Sequence, residues 1–280
     1  MPEIFQYDFM IRAFVGGVLV GALAPALGVF LVLRRLALIA DSLSHVALTG
    51  VAFGLLTKTF PPIAGLLATS TAAVAIETVR LKRLMPGDVA LAVVLYSALA
   101  VAVVVIGLAG GFNVDLFSYL FGSILTVNNT DLWLLAALAA IVITFVVSFY
   151  PELAQSSFDT DLARVSGVRV FGVNLVLAIL TGATITLSMR VVGVLLVGAL
   201  IVVPVMVSLR VATGLRPAIG LAVAIGIGSS LFGLTIAFYA NVAAGGAIVL
   251  TSVGILVLTM ATEYVVGKIR GQSRYSNSSR

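Results

Sequence analysis

Residues Leu33–Gly54 read LRRLALIADSLSHVALTGVAFG, and no other stretch does more to fix what this chain is. An arginine pair, Arg34 and Arg35, heads an apolar run that carries Asp41 and the single histidine of the sequence, His45. On an α-helix a spacing of four brings both side chains to one face, about one turn apart. An ionisable group inside an apolar membrane segment costs several kcal/mol unless it is paired or ligated, so a carboxylate and an imidazole placed there point to function. The plainer reading makes Asp41 a cap near the membrane surface and His45 its hydrogen-bond partner.

Working outward, the surrounding chain is too apolar for a water-soluble domain. Hydrophobic residues make up 61% of the 280 and charged residues 10%, with a mean hydropathy of +1.22; soluble domains carry about 25% charged residues. The expected fold class is all-α, a polytopic transmembrane helical bundle. The first apolar run, Phe9 to Val32, is longer than a signal-peptide core and ends in Arg34 and Arg35 rather than at a small-residue cleavage site, so it is expected to remain as the first span. A hydrocarbon core of about 30 Å needs about 20 apolar residues per helix. Candidate segments lie at 9–32, 40–56, 61–79, 89–109, 132–149, 171–187, 191–209, 219–240 and 247–266. The second is short and polar enough to be a broken or partial span, which sets the expected count at eight or nine. The seventh follows the sixth across Ser188–Gly193 with almost no loop, so a discontinuity is expected there.

Orientation follows from the basic residues. If every segment crosses and the loop after the first is cytoplasmic, that side receives 13 of the 16 Lys and Arg residues, leaving Arg12, Lys58 and Arg190 opposite. The N-terminus is then outside and the C-terminus cytoplasmic, in a multi-pass cell-membrane protein. The net charge of +5 reflects orientation and contact with anionic lipid rather than nucleic acid. The polar tail 271–280 is expected to be disordered.

Three stretches between spans stand out. Arg80–Asp88 reads as a basic topology anchor. Gly110–Asp131 carries Phe112, Leu116, Phe117, Tyr119, Leu120 and Phe121, too apolar for a solvated loop, and fits an interfacial or re-entrant helix or a docking platform for an external protein. Glu152–Gly167, ELAQSSFDTDLARVSG, fits a short amphipathic helix beneath the bilayer, at about 156–167. Ser156 or Ser157 would cap it and Asp159 and Asp161 would sit in its first turn. Phe158, Leu162 and Val165 would share one face, which could dock on a partner or simply pack on this chain.

The absence of cysteine removes thiolate ligands and cysteine catalysis. A carboxylate and an imidazole suit Mn²⁺, Zn²⁺ or Fe²⁺, with no soft ligand to favour Cu⁺. Two ligands do not close a site; a symmetric dimer would supply four. Ser44, Thr49 and Asp115 are candidate helpers in binding or attracting ions. No Gly-x-x-x-x-Gly-Lys-Ser/Thr loop occurs in the sequence, so nucleotide energy, if used, comes from a partner. A secondary metal/proton transporter with Asp41 as proton carrier and His45 as ligand is the alternative, opposed by the scarcity of intramembrane acids and the lack of an obvious inverted repeat. An intramembrane hydrolase using Ser42 or Ser44 with His45 is disfavoured because neighbouring Ser44 and His45 point to different helix faces.

The opening stretch resembles the signature of the membrane permease subunits of ABC importers for manganese, zinc and iron. DLFSYLFGSILTV from Asp115, SFDTDLARVSGV from Ser157, VVGVLLVGALIVVPVMVSLRVA from Val191 and GGAIVLTSVGILVL from Gly245 are similar to further blocks of that family in the same order. The resemblance implies a type II ABC importer-like fold, one permease domain over residues 1–270 and a homodimer. It implies metal delivered by an extracytoplasmic solute-binding protein and ATP used by separate cytoplasmic ATPase subunits. It implies no catalytic residue and no bound cofactor in this chain, only the transported ion. Position by position, Asp41 and His45 become the metal-contacting residues, and Phe158, Asp159, Leu162 and Ala163 fall in the ATPase-coupling helix. Thr49 and Ala247 stand where the family often has proline.

Overall fold

The computed structural model describes residues 6–82, 84–108, 114–123, 125 and 127–277; the side chains of 114–117, 195 and 266–277 lie outside the described part. Twelve helices are described: α1 Asp8–Leu33, α2 Ala37–Leu56, α3 Pro61–Leu81, α4 Gly87–Leu108, α5 Val114–Phe121, α6 Asn129–Ser148, α7 Tyr150–Phe158, α8 Thr160–Val165, α9 Val170–Val192, α10 Val194–Val211, α11 Leu215–Ala240 and α12 Ala244–Asn277. Eight of them are long and apolar enough to cross a membrane, and α10 is a shorter apolar helix. Each of the nine apolar segments is therefore a helix. The second, α2, is one continuous helix rather than a broken one. The polar tail expected to be disordered continues helically as far as Asn277, and 278–280 lie outside the described residues.

α1 is the central post. Its Val20, Leu23, Leu27 and Phe30 are fully enclosed, and it packs on α11, α10, α9 and α6. Lipid tails are as apolar as these side chains, so close van der Waals approach through small residues must hold the helices together. At the α1–α11 crossing Gly21 and Gly226 meet backbone to backbone; a Cβ on Gly226 would lie 2.2 Å from the Gly21 carbonyl oxygen.

The expected discontinuity falls at Gly193, whose φ of +92° separates α9 from α10 with no loop between them. Val191, at the end of α9, lies against Gly16, and α10 then runs alongside α1 in the same sense, with Ile201 against Gly28, and Val205 and Leu209 in one cluster with Val29 and Leu33. Only glycine fits at the break. A Cβ on Gly193 would sit 2.5 Å from the carbonyl carbon of Phe121, and Gly122, itself at φ +73°, presses on Val192 in return. The end of α5 is thus locked across the break, with the Ser123 amide donating to the Arg190 carbonyl at 3.0 Å.

A second lock closes the same end of the bundle. Arg190 donates to Asp131 at 3.0 Å and to the Tyr119 hydroxyl at 3.1 Å, while Asp131 and Asn128 form a reciprocal capping box at the start of α6. Asp131 is buried, so Asp131→Ala removes a cap and strands a cation. Breaking such a pair costs about 3–5 kcal/mol, and the thermal midpoint of the detergent-purified protein should fall by several degrees. An unchanged midpoint would mean that solvent already screens the pair.

The opposite end holds the turn into α2. Arg35, at φ +58°, is the left-handed residue of a Schellman closure in which the Leu36 amide donates to Leu31 O at 2.8 Å and the Arg35 amide to Val32 O at 3.0 Å. α2 then packs between α3 and α4 and against α9 and α10. The Ser42 hydroxyl donates to Leu91 O at 3.0 Å and the Thr49 hydroxyl to Ala98 O at 2.8 Å. Seven residues separate the contacts on each helix, so α2 and α4 run parallel, with α3 returning between them.

Candidate metal pathway and coupling surface

Asp41 and His45 lie in the first half of α2 on the one side that the rest of the chain leaves open. Leu43, Ala47 and Ser42 on its other sides are fully buried, whereas the Asp41 side chain is 56% exposed and that of His45 17%. Gly198 of α10 is the close neighbour that leaves room here, its missing Cβ 3.9 Å from the Asp41 amide. His45 Nε2 stands 4.0 Å from Asp41 Oδ1. That is too long for a hydrogen bond. Ligand bonds of about 2.1 Å place two donors of one ion roughly 3–4 Å apart, so the gap suits a shared cation. His45 Nδ1 is buried without a hydrogen-bond partner. Among the described residues no three His, Asp or Glu side chains gather closely enough to hold a metal, so one chain offers at most half a site.

The neighbouring hydroxyls are occupied elsewhere. Ser44 donates to Ala40 O at 2.8 Å, and Ser42 is tied to α4. Thr49 donates to His45 O at 2.9 Å as well as to Ala98 O. None of these bonds reaches the imidazole ring, which speaks against a serine hydrolase. Thr49 lies within the unbroken α2, its hydroxyl bonded to the His45 carbonyl one turn back. Asp115 has its side chain outside the described residues.

The segment read as one amphipathic helix is two. α7 ends at Phe158 and α8 begins at Thr160, with Asp159 in extended conformation between them, its carboxylate accepting from the amides of Asp161 and Leu162 at 2.9 and 3.0 Å. The cap is therefore Asp159, not Ser156 or Ser157. Both serines are buried at the end of α7, because the last turn of that helix packs against α1. Phe158, Leu162 and Val165 are exposed by 70, 63 and 87%, whereas Ala163 is buried and anchors α8 on its own protein.

What the serines meet is Arg34. It donates to Ser157 Oγ at 3.0 Å, Ser156 Oγ at 2.7 Å, Leu153 O at 3.4 Å and Asn174 Oδ1. Asn174 in turn donates to Glu77 at 3.1 Å, and Glu77 accepts from Arg80 at 2.7 Å. Burial lowers the Arg34 guanidinium to about 10, opposed by the Glu77 carboxylate and aided by Arg80, which leaves it charged at neutral pH. Counting Arg34 as a topology charge missed this cluster. The available signal was the presence of Glu77 and Asn174 inside otherwise apolar segments, each needing a polar partner.

Among the described residues the bundle is all-helical, with a polar pair on an open helix face and an exposed apolar turn at one end. The chain belongs to the ABC 3 transport family, whose model matches residues 6–263, and it is a permease component of that transporter class, not an enzyme in itself. It is 32% identical over 255 residues to the high-affinity zinc uptake system membrane protein ZnuB of Haemophilus influenzae, covering 91% of this chain and 98% of that one. It is 31% identical over 249 residues to the manganese import system permease protein ScaB of Streptococcus gordonii, covering 89% of each. Among solved structures, PsaBC from Streptococcus pneumoniae in complex with Fab superposes with a TM-score of 0.82 at 30% identity, covering 91% of this chain and 92% of that one.

Proposed function

We propose that this chain is the membrane subunit, a single permease domain over residues 1–270, of an ATP-driven importer of a divalent transition metal, Mn²⁺, Zn²⁺ or Fe²⁺. Two copies pair about an axis so that both Asp41–His45 pairs face one pathway, together offering two carboxylates and two imidazoles. The observation that carries this reading is the 4.0 Å carboxylate–imidazole gap on the uncovered face of α2. It is supported by relatives whose names specify zinc uptake and manganese import. In this reading the N-terminus is extracytoplasmic and the C-terminus cytoplasmic, as the basic-residue count favours. An extracytoplasmic solute-binding protein delivers the metal at the end closed by Arg190 and Asp131. ATPase subunits dock at the other end on α8, with Phe158 and Leu162 as contacts, Asp159 holding the turn and Ala163 seating it.

A half-site of two ligands suits passage better than storage: a few oxygen and nitrogen donors can replace part of an ion's water shell without trapping it. The test is uptake into vesicles containing the permease dimer and its ATPases, with the solute-binding protein and Mn²⁺ or Zn²⁺ outside. Accumulation should require ATP inside the ATPase-facing compartment. Uptake that proceeds without ATPase and follows an imposed proton gradient would replace this reading with a secondary metal/proton transporter.

A further inference from the structure

We infer that Arg34 is a positioning residue for transport, linking the ATPase-facing segment α7–α8 to the helix that carries Asp41 and His45. The inference rests on the reading of α8 as the ATPase-docking segment. Four elements converge on this one guanidinium: its own helix α1, α7 through Leu153, Ser156 and Ser157, α9 through Asn174, and α3 through Asn174 and Glu77. Each serine hydroxyl gives its proton to a carbonyl one turn back in α7, Glu152 O or Leu153 O, and keeps a lone pair for Arg34. The bonds are thus oriented, and a planar guanidinium fork fixes the relative directions of its partners in a way that an ammonium cannot.

Position along the chain makes the cluster a link rather than a clasp. Ser157 adjoins Phe158, and Asp159, which caps α8, follows it, so a load on the exposed face of α8 reaches the serines through two residues. On the other side Arg34 leads directly into the Arg35 turn, whose two Schellman hydrogen bonds make it stiff, and Asp41 stands seven residues beyond Arg34, in the second turn of α2. Moving α7 away from Arg34 would strand a buried cation, which costs more than moving the two together. A displacement of α8 is therefore passed to the foot of α2.

The test uses the permease dimer with its ATPases in vesicles. Arg34→Lys keeps the charge opposite Glu77 but not the fork to both serines, and the Ser156→Ala/Ser157→Ala pair removes the two acceptors while leaving Arg34. In both variants the complex should assemble and hydrolyse ATP at a basal rate within about twofold of wild type, while metal imported per ATP falls at least tenfold. A wild-type ratio of import to hydrolysis in an assembled variant overturns the inference, as does loss of assembly in both, which would make the cluster purely structural. If only Arg34→Lys fails to assemble, the serine pair decides by the same ratio. Phe158→Asp serves as the separate control: a variant that still binds and drives the ATPase would remove the docking reading itself, whereas release of the ATPase by Phe158→Asp with normal coupling in the other two removes only the link.

Discussion

Vesicles carrying the Asp41→Asn permease with wild-type ATPases should accumulate Mn²⁺ or Zn²⁺ at least roughly 100-fold more slowly than wild type, the factor that about 2.7 kcal/mol of lost ion stabilisation corresponds to, while the proposed dimer should elute unchanged. The amide keeps the shape of the carboxylate and removes its charge. The side chain is largely exposed in the single chain, and its ionic partner His45 Nε2 stands 4.0 Å away, beyond hydrogen-bond distance. In the proposed two-fold arrangement the deficit would be doubled, since both carboxylates would lose their charge together. His45→Ala should also reduce uptake, and more steeply for Zn²⁺, which binds nitrogen donors more tightly than Mn²⁺ does. Uptake by Asp41→Asn within a few fold of wild type would take this residue out of the pathway.

The second large effect concerns the other end of the molecule. Phe158→Asp should release the ATPase from detergent-purified permease, weakening association by about 2 kcal/mol or more, or some 30-fold, as expected for a large aromatic contact. Phe158 sits at the last position of α7 and is mostly exposed, as are Leu162 and Val165 on α8, so none of the three is held in the protein's own core. A carboxylate placed there is harmless in water and costly in a dry interface. The permease should fold as before, since nothing in its core contacts depends on this ring. Co-purification of the ATPase at wild-type stoichiometry, with metal-stimulated hydrolysis intact, would assign the exposed face to lipid headgroups or solvent instead.

Both sites were partly legible in the sequence, and the reason for the remainder is physical. Nine apolar stretches marked nine helices because bilayer thickness sets their length, eight of them to within about five residues at each end and the ninth except where α12 runs on to Asn277, and the Ser188–Gly193 junction was visible because no loop separated the segments. Asp41 and His45 shared a face by spacing alone. Which way that face turned was not readable, since in an apolar helix the sides meeting lipid and the sides meeting protein use the same residues. Ser156 and Ser157 looked like caps because serine caps helices often; their true partner, Arg34, lies more than a hundred residues away, and no local pattern encodes it. The pairing of Arg190 with Asp131 was hidden in the same way, by distance along the chain.

The two hydroxyl contacts from Ser42 and Thr49 to α4 set a limit on how the transport face can move. Sliding α2 by one turn, or rolling it about its own axis, would take both hydroxyls off the α4 carbonyls at once and leave each only the carbonyl one turn back on its own helix, Leu38 O or His45 O. The pair behaves like a ladder with two rungs, which leans more readily than its rails shift past each other. In the proposed importer Asp41 and His45 would then travel with α4 as one panel, which favours a cycle built from tilting such panels over one built from winding a screw.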